Sequence, residues 1–307
     1  MRSDRLSMLL VTALVAGFAV GSATTAQGQV GRSSSRTSLP SVTTVTPAAV
    51  TSTPQVAGPK TALMQGGVSL GGGSSEYNSV GQLAMSLKSL GESTCTGTLI
   101  SPTWVLTAAH CLAIPGAKLN GLSFRLNGAT YTSRKWYVHP AYISTDFSAG
   151  NDIALVQLTT SVTGVTYGKL PTQTPAIEDV ITLVGYGLAG TGWEGTTGES
   201  GLIYPIDELF PRGWGAGRVS TTGVKRIGTV KLNGVSSQHI SWDFTKDQPS
   251  SIAPGDSGGP AFNSNGEVVG VASGGLTNDW GWGTYAFETR VDTFNDWITS
   301  ITGVTPG

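Results

Sequence analysis

The chain has 307 residues, a formal net charge of -1 and only 12% charged residues. Chain length allows one or two domains. No basic excess points to nucleic acid, and no acid run points to a solvating tail. The 39% hydrophobic content is enough for a core, and 43 glycines favour an all-β chain rich in turns.

The first element reads as an export signal. Arg2 and Arg5 precede an apolar run from Leu9 to Val20, followed by the small residues Ser22, Ala23 and Ala26. That order predicts a secretory signal peptide over 1–26. The run is shorter than the ~20 residues that span a bilayer, so no membrane span is expected in the mature chain. Residues 27–76 follow, rich in Ser, Thr, Pro and Gly, and read as a low-complexity linker or pro-segment. The expected location is outside the cell or in the periplasm.

From residue 77 the pattern changes, and the expected domain is 77–307. Short apolar runs recur between turn residues: Gln82–Leu87, Gly97–Ile100, Val105–Ala109, Ser123–Leu126, Ile153–Leu158, Val180–Val184, Gly228–Val230, Val268–Ala272 and Thr284–Phe287. Regular short strands of this kind predict a β-sandwich or barrel. One helix is expected near the end, where Val291, Phe294, Ile298 and Ile301 recur at helical spacing. Asp292 would cap its start, Gly303 would end it, and it would pack on the later strands.

Three segments carry the chemistry. Ser257 lies in Gly255-Asp256-Ser257-Gly258-Gly259-Pro260, where glycines allow a tight turn with exposed N–H groups. A serine hydroxyl is a weak nucleophile without a neighbouring base. His110, in Leu106-Thr107-Ala108-Ala109-His110-Cys111, is the candidate base. Asp152, at the head of the apolar run Ile153–Leu158, is the candidate to orient that base, in preference to Asp146. The backbone N–H groups of Gly255 and Ser257 are candidate donors to an oxyanion. His139 and His239 lack a catalytic setting and read as structural. Cys95 and Cys111 are the only cysteines. In an oxidising compartment they are expected to pair, and no metal site is expected.

In the order histidine, aspartate, serine, these segments resemble the trypsin/chymotrypsin family of serine proteases. Cys95-Thr96-Gly97-Thr98-Leu99-Ile100-Ser101, Ala272-Ser273-Gly274-Gly275 and the closing Asp296-Trp297-Ile298 extend the resemblance over roughly residues 80–301. It implies two six-stranded antiparallel β-barrels with a C-terminal helix, and a site between the barrels. The implied activity is secreted endopeptidase action on a protein or peptide through an acyl-enzyme, with no cofactor.

The resemblance further implies that Ser251 floors the primary substrate pocket, with Ser273, Gly274 and Gly275 along its wall. Ser273 would also hold Asp152. Ser251 in that place favours an apolar or aromatic substrate side chain, although Asp243, Asp247 or Glu288 could supply charge. Asp256 would pair with an amino terminus freed by an activating protease, yet the chain lacks the family's usual Ile-Val-Gly-Gly start. Trp193, Trp214, Trp280 and Trp282 are candidates for packing under long loops or for extended subsites. Two other readings stand beside this one. One is an inactive homologue serving as a binding module. The other is a serine esterase, whose Gly-x-Ser-x-Gly elbow fits residues 255–259 but whose chain order differs.

Overall fold

The structure is a computed structural model. It describes residues 68–69, 76–187, 223–275 and 285–307, apart from 89, 145, 147, 148, 246 and 249. The expected signal peptide, nearly all of the expected linker and the four loop tryptophans lie outside the described residues.

The first lobe is a closed antiparallel barrel of six strands. Its members are β2 (Val80–Lys88), β3 (Gly91–Ser101), β4 (Trp104–Thr107), β5 (Lys118–Leu126), β6 (Ala129–Val138) and β7 (Ala154–Leu158), paired in the order β2-β3-β4-β7-β6-β5. Alternation along β2 sets the inward face, with Leu83, Met85 and Leu87 buried between more exposed neighbours. Between β5 and β6, Asn127 and Gly128 take φ of 50° and 83°. An Asn-Gly pair with both residues at positive φ makes the tight hairpin turn whose twist suits the flanking strands.

The second lobe is one curled antiparallel sheet of eight strands. Six are longer: β8 (Val180–Gly185), β9 (Arg226–Lys231), β11 (His239–Asp243), β12 (Pro260–Phe262), β13 (Val268–Gly275) and β14 (Tyr285–Arg290). The two-residue strands β1 (Val68–Ser69) and β10 (Gly234–Val235) extend its ends, giving the order β1-β9-β8-β12-β13-β14-β11-β10. The two-lobed, six-plus-six expectation is thus met in its main strands. Among the described residues the second sheet curls without a closing pair between β9 and β11.

Among the described residues, two apolar clusters form the core. The smaller lies inside the second sheet and includes Ile181, Leu183, Val230, Ile240, Trp242 and Ala286. The larger fills the first barrel and runs on through Leu170, Val184, Phe262, Val268 and Val271 of the second lobe. Val291, Phe294 and Ile298 belong to it too.

That membership corrects the expected seat of the terminal helix. The α-helix α1 (Asn295–Thr302) is preceded by a 3-10 turn at Asp292–Phe294, and both pack on the larger cluster. Phe294 and Trp297 meet the ring of His139 edge-on, each with centroids 5.0 Å apart. His139 is therefore an inter-element contact and not a free surface-loop residue. Gly303 ends the helix at φ 74°, as its sequence position implied. Asp292 does not cap it: its carboxylate takes Arg290 Nε at 3.0 Å and the Thr174 hydroxyl at 2.8 Å.

Candidate active site

The three sequence candidates come from three different elements. His110 follows β4 by three residues, and the first turn beyond it is closed by Leu112 and Ala113 N–H bonds to the Ala109 carbonyl. Asp152 immediately precedes the Ile153 that leads into β7. Because β4 and β7 pair directly, with Thr107 opposite Ala154, the two segments emerge side by side at one end of the barrel.

Their contact is bidentate. His110 Nδ1 lies 2.7 Å from Asp152 Oδ2, and the His110 backbone N–H donates to Oδ1 at 2.8 Å. Ser273 Oγ, from β13 of the other lobe, donates to Oδ2 at 2.6 Å. The Thr289 hydroxyl donates to the Asp152 carbonyl at 3.1 Å. Asp152 is fully buried. Burial alone would raise its pKa, but the His110 charge and the bonds from His110 and Ser273 outweigh it and hold the carboxyl below its usual range. An ionised carboxylate at Nδ1 favours the tautomer with its proton on Nδ1, which makes Nε2 the basic nitrogen.

Ser257 belongs to the turn just before β12. Its carbonyl accepts the Thr96 N–H at 2.8 Å, and the Cys111 sulfur lies 3.7 Å from that same oxygen. Cys111 directly follows His110 and is disulfide-bonded to Cys95, as expected. The Ser257 turn and the His110 turn therefore meet at one bridge. Cys95, His110 and Cys111 are grouped tightly enough to suggest a metal centre. The two sulfurs are bonded to each other, however, so neither is a thiolate ligand.

The turn has unusual backbone requirements. Gly255 and Gly258 take φ of 97° and 80°, a region that strains residues with a Cβ. The N–H groups of Asp256, Gly258 and Gly259 bond the carbonyls of Ala253, Ala272 and Asp256. Among the described residues, those of Gly255 and Ser257 have no backbone carbonyl partner. These are the two donors picked out from the sequence.

The expected pocket residues fall on the second lobe. Ser251 is buried, and its hydroxyl has no protein partner among the described residues. Gly274 and Gly275 end β13 in half-exposed positions, with the Phe287 ring behind Gly274. The Ser273 hydroxyl is committed to Asp152, so only its backbone and its position remain for a substrate wall. Of the acids considered for pocket charge, Asp243 is exposed and bonded to Asn233, and Asp247 is exposed. Glu288 is buried in the second lobe. Burial, reinforced by the like charge of Asp256, pushes its pKa well above the usual glutamate range.

Several residues of the site were given no role from the sequence. Thr96 bonds the turn twice, through its N–H and through its hydroxyl to the Gly255 carbonyl at 2.9 Å. Thr289, Gly187 and Arg226 likewise come from strands or loops far along the chain. Only the position of Thr96 beside Cys95 could have drawn attention to it.

Comparison with known proteins agrees with this layout. The family model described as Trypsin matches residues 69–298. Brachyurin of Leptuca pugilator is 31% identical over 221 residues, covering 69% of this chain and 89% of that protein. A trypsin of Phaedon cochleariae is 30% identical over 234 residues, covering 68% and 79%. A chymotrypsin of the same species is 29% identical over 224 residues, covering 67% and 71%. A solved structure titled as HL collagenase superimposes with a TM-score of 0.58 at 19% identity, covering 75% of this chain and 96% of that one, and so bears on the fold. With the matched region exceeding half the chain, and with relatives that are named proteases along most of their length, this chain belongs to the trypsin family of serine endopeptidases.

Proposed function

We propose that the protein is a secreted endopeptidase that cleaves peptide bonds through an acyl-enzyme, with Ser257 as nucleophile, His110 as general base and Asp152 as its orienter. The observation that carries this reading is the chain Ser273–Asp152–His110, fixed by the disulfide against the turn that bears Ser257. The Ser257 oxygen attacks the substrate carbonyl carbon while its proton passes to His110 Nε2. Asp152 stabilises the imidazolium so formed and stays ionised. The carbonyl oxygen, now negative, lies against the N–H groups of Gly255 and Ser257. His110 then returns the proton to the departing amine nitrogen as the C–N bond breaks. Water repeats the sequence on the ester and frees the serine.

Residues 1–26 would serve as the export signal and 27–76 as a linker or pro-segment ahead of the 77–307 domain. The disulfide is in keeping with an oxidising compartment. An uncharged pocket, with Ser251 at its floor and Gly274 and Gly275 at its rim, favours an apolar or aromatic substrate side chain. The burial that raises the Glu288 pKa disfavours a negative charge there, in keeping with that preference.

A serine-directed fluorophosphonate followed by peptide mapping tests the assignment. Label on Ser257, lost in His110→Ala, is the expected result, together with casein cleavage. Label elsewhere, or label retained in His110→Ala, overturns the triad. Turnover of small esters without any turnover of casein overturns the peptidase reading. Strict cleavage after Arg or Lys in a peptide library overturns the pocket preference.

A further inference from the structure

The outer face of the first barrel carries charge of one sign. Lys88 ends β2, Lys118 and Arg125 lie on β5, and Arg134 lies on β6, all of them exposed. Alternation puts them on the solvent side of the sheet, because Leu83, Met85, Leu87, Leu122 and Phe124 take the buried positions of β2 and β5. Lys88 lies directly opposite Lys118. Arg125 lies opposite Thr130, four residues before Arg134 on the next strand. Strands β2, β5 and β6 contain no acidic residue. Glu92, opposite Ser86, is the one acid on β3 alongside. Among the described residues none of the four cations makes an ion pair.

Like charges directly opposite each other on a sheet are unfavourable. Lysine often guards a sheet edge against pairing with another chain, but here the barrel is closed and both β2 and β5 have partners on each side. The stripe thus answers to an anion outside the sheet. Between the cations the outer face is floored by the opposed pairs Ala84–Ser123 and Ser86–Gly121, small enough for an extended chain to lie close. Along β5, Lys118 and Arg125 are about 20 Å apart at the usual strand rise. No aromatic side chain stands on the outer face of β2 or β5 to stack a base, which disfavours nucleic acid.

The stripe begins at the end of the barrel that bears His110. β4 runs toward His110 and β3 is antiparallel to it, so the turn joining β2 to β3 lies at that end. β5 starts there too, soon after the His110–Cys111 turn. In the proposed reaction His110 hands its proton to the leaving amine, so the substrate beyond the cut departs along the histidine's lobe. We propose that the stripe is a docking surface for an acidic segment of the protein substrate, C-terminal to the cut bond and running from the Lys88–Lys118 pair toward Arg134 and Arg125. This rests on the peptidase reading above.

The test uses the chain over residues 27–307 and internally quenched peptides built on one core that the chain cuts. The core is followed by a tail of about six Glu or about six Gln residues, enough to span the stripe. At about 20 mM NaCl, kcat/KM per titrated site is expected to be about tenfold higher for the Glu tail, with most of the gain in KM. At about 0.5 M NaCl, screening should cut that ratio to about two or less. Lys88→Gln with Lys118→Gln should lower the low-salt ratio about threefold, and adding Arg125→Gln and Arg134→Gln should bring it to about one. Fluorophosphonate titration counts the folded sites of each variant.

Equal cleavage of the two tails at low salt overturns this proposal alone. So does a ratio that survives in the fourfold variant, or a gain seen only when the tail precedes the core. Heparin binding that the fourfold variant loses, with the two tails cut equally, gives the surface to another polyanion and also overturns it. Failure to cut any peptide or casein overturns the peptidase reading and this proposal with it.

Discussion

A methyl group at Gly258 would run into the Thr107 hydroxyl and lie 2.5 Å from the Thr96 carbonyl oxygen, at a φ of 80° that already disfavours a side chain. These are strand atoms of the closed barrel and cannot withdraw. Gly258→Ala is therefore expected to abolish labelling of Ser257, with loss of catalysis of at least about 100-fold, measured as the labelling rate of the folded fraction. Ser273→Ala is milder. It removes one donor to a buried carboxylate that still has two from His110, so kcat/KM should fall about tenfold while the number of labelled sites stays constant. At this scale the sequence was readable where chemistry concentrates unusual residues: a serine between glycines, a histidine beside a cysteine, an aspartate ahead of an apolar strand. It assigned no role to Thr96, Gly187 and Arg226, because a threonine, a glycine or an arginine in a strand or loop has many ordinary uses. Only three-dimensional proximity marks these three.

The bridge between Cys95 and Cys111 joins β3 to the turn after β4, closing a loop with a sequence separation of 16. In the chain-entropy account such a loop is worth about 3 kcal/mol. Replacing both residues, Cys95→Ala with Cys111→Ala, should lower Tm by about 6–12 °C for a domain of this size, read by calorimetry. It should also lower kcat, since the histidine turn loses its anchor. Most strands were legible from their apolar runs, and β2, β7 and β13 lie close to where periodicity put them. The strand β6 was not, because its exposed Thr, Arg and Lys positions mask the partly buried Tyr131, Tyr137 and Val138. Three-residue β12 is too short to carry a period. The final helix was visible by spacing, but spacing identifies an apolar face without naming what that face meets. Here it meets the larger cluster, by way of His139.

Across the whole molecule, buried acids set opposing responses to pH. Asp152 has its pKa lowered on folding, so its contribution is present above the usual aspartate range and is lost as pH falls through the folded value. Asp256 is pushed up from 3.8 to about 7, chiefly by burial. Glu288 is raised well above 4.5. These two favour the folded state at low pH, and that advantage is lost as pH rises past their unfolded values toward their folded ones. Both Glu288 oxygens lack a protein partner among the described residues. Glu288→Leu should therefore raise Tm at pH 8 by about 3 °C or more, with a smaller gain at pH 4.5. A gain independent of pH would contradict the burial argument. The two-lobed plan was readable from motif order, but the manner in which the lobes share one apolar cluster was not, because no local pattern records which buried residues meet across 100 positions of chain. Thr96 makes that union concrete: from the first barrel it grips the second lobe's Ser257 and Gly255 carbonyls and accepts the Tyr186 N–H at 3.1 Å. Those three bonds converge on one side chain and its own N–H, so Thr96→Val is expected to weaken the tie between strand β3 and the Ser257 turn, read as a slower labelling rate of the folded protein.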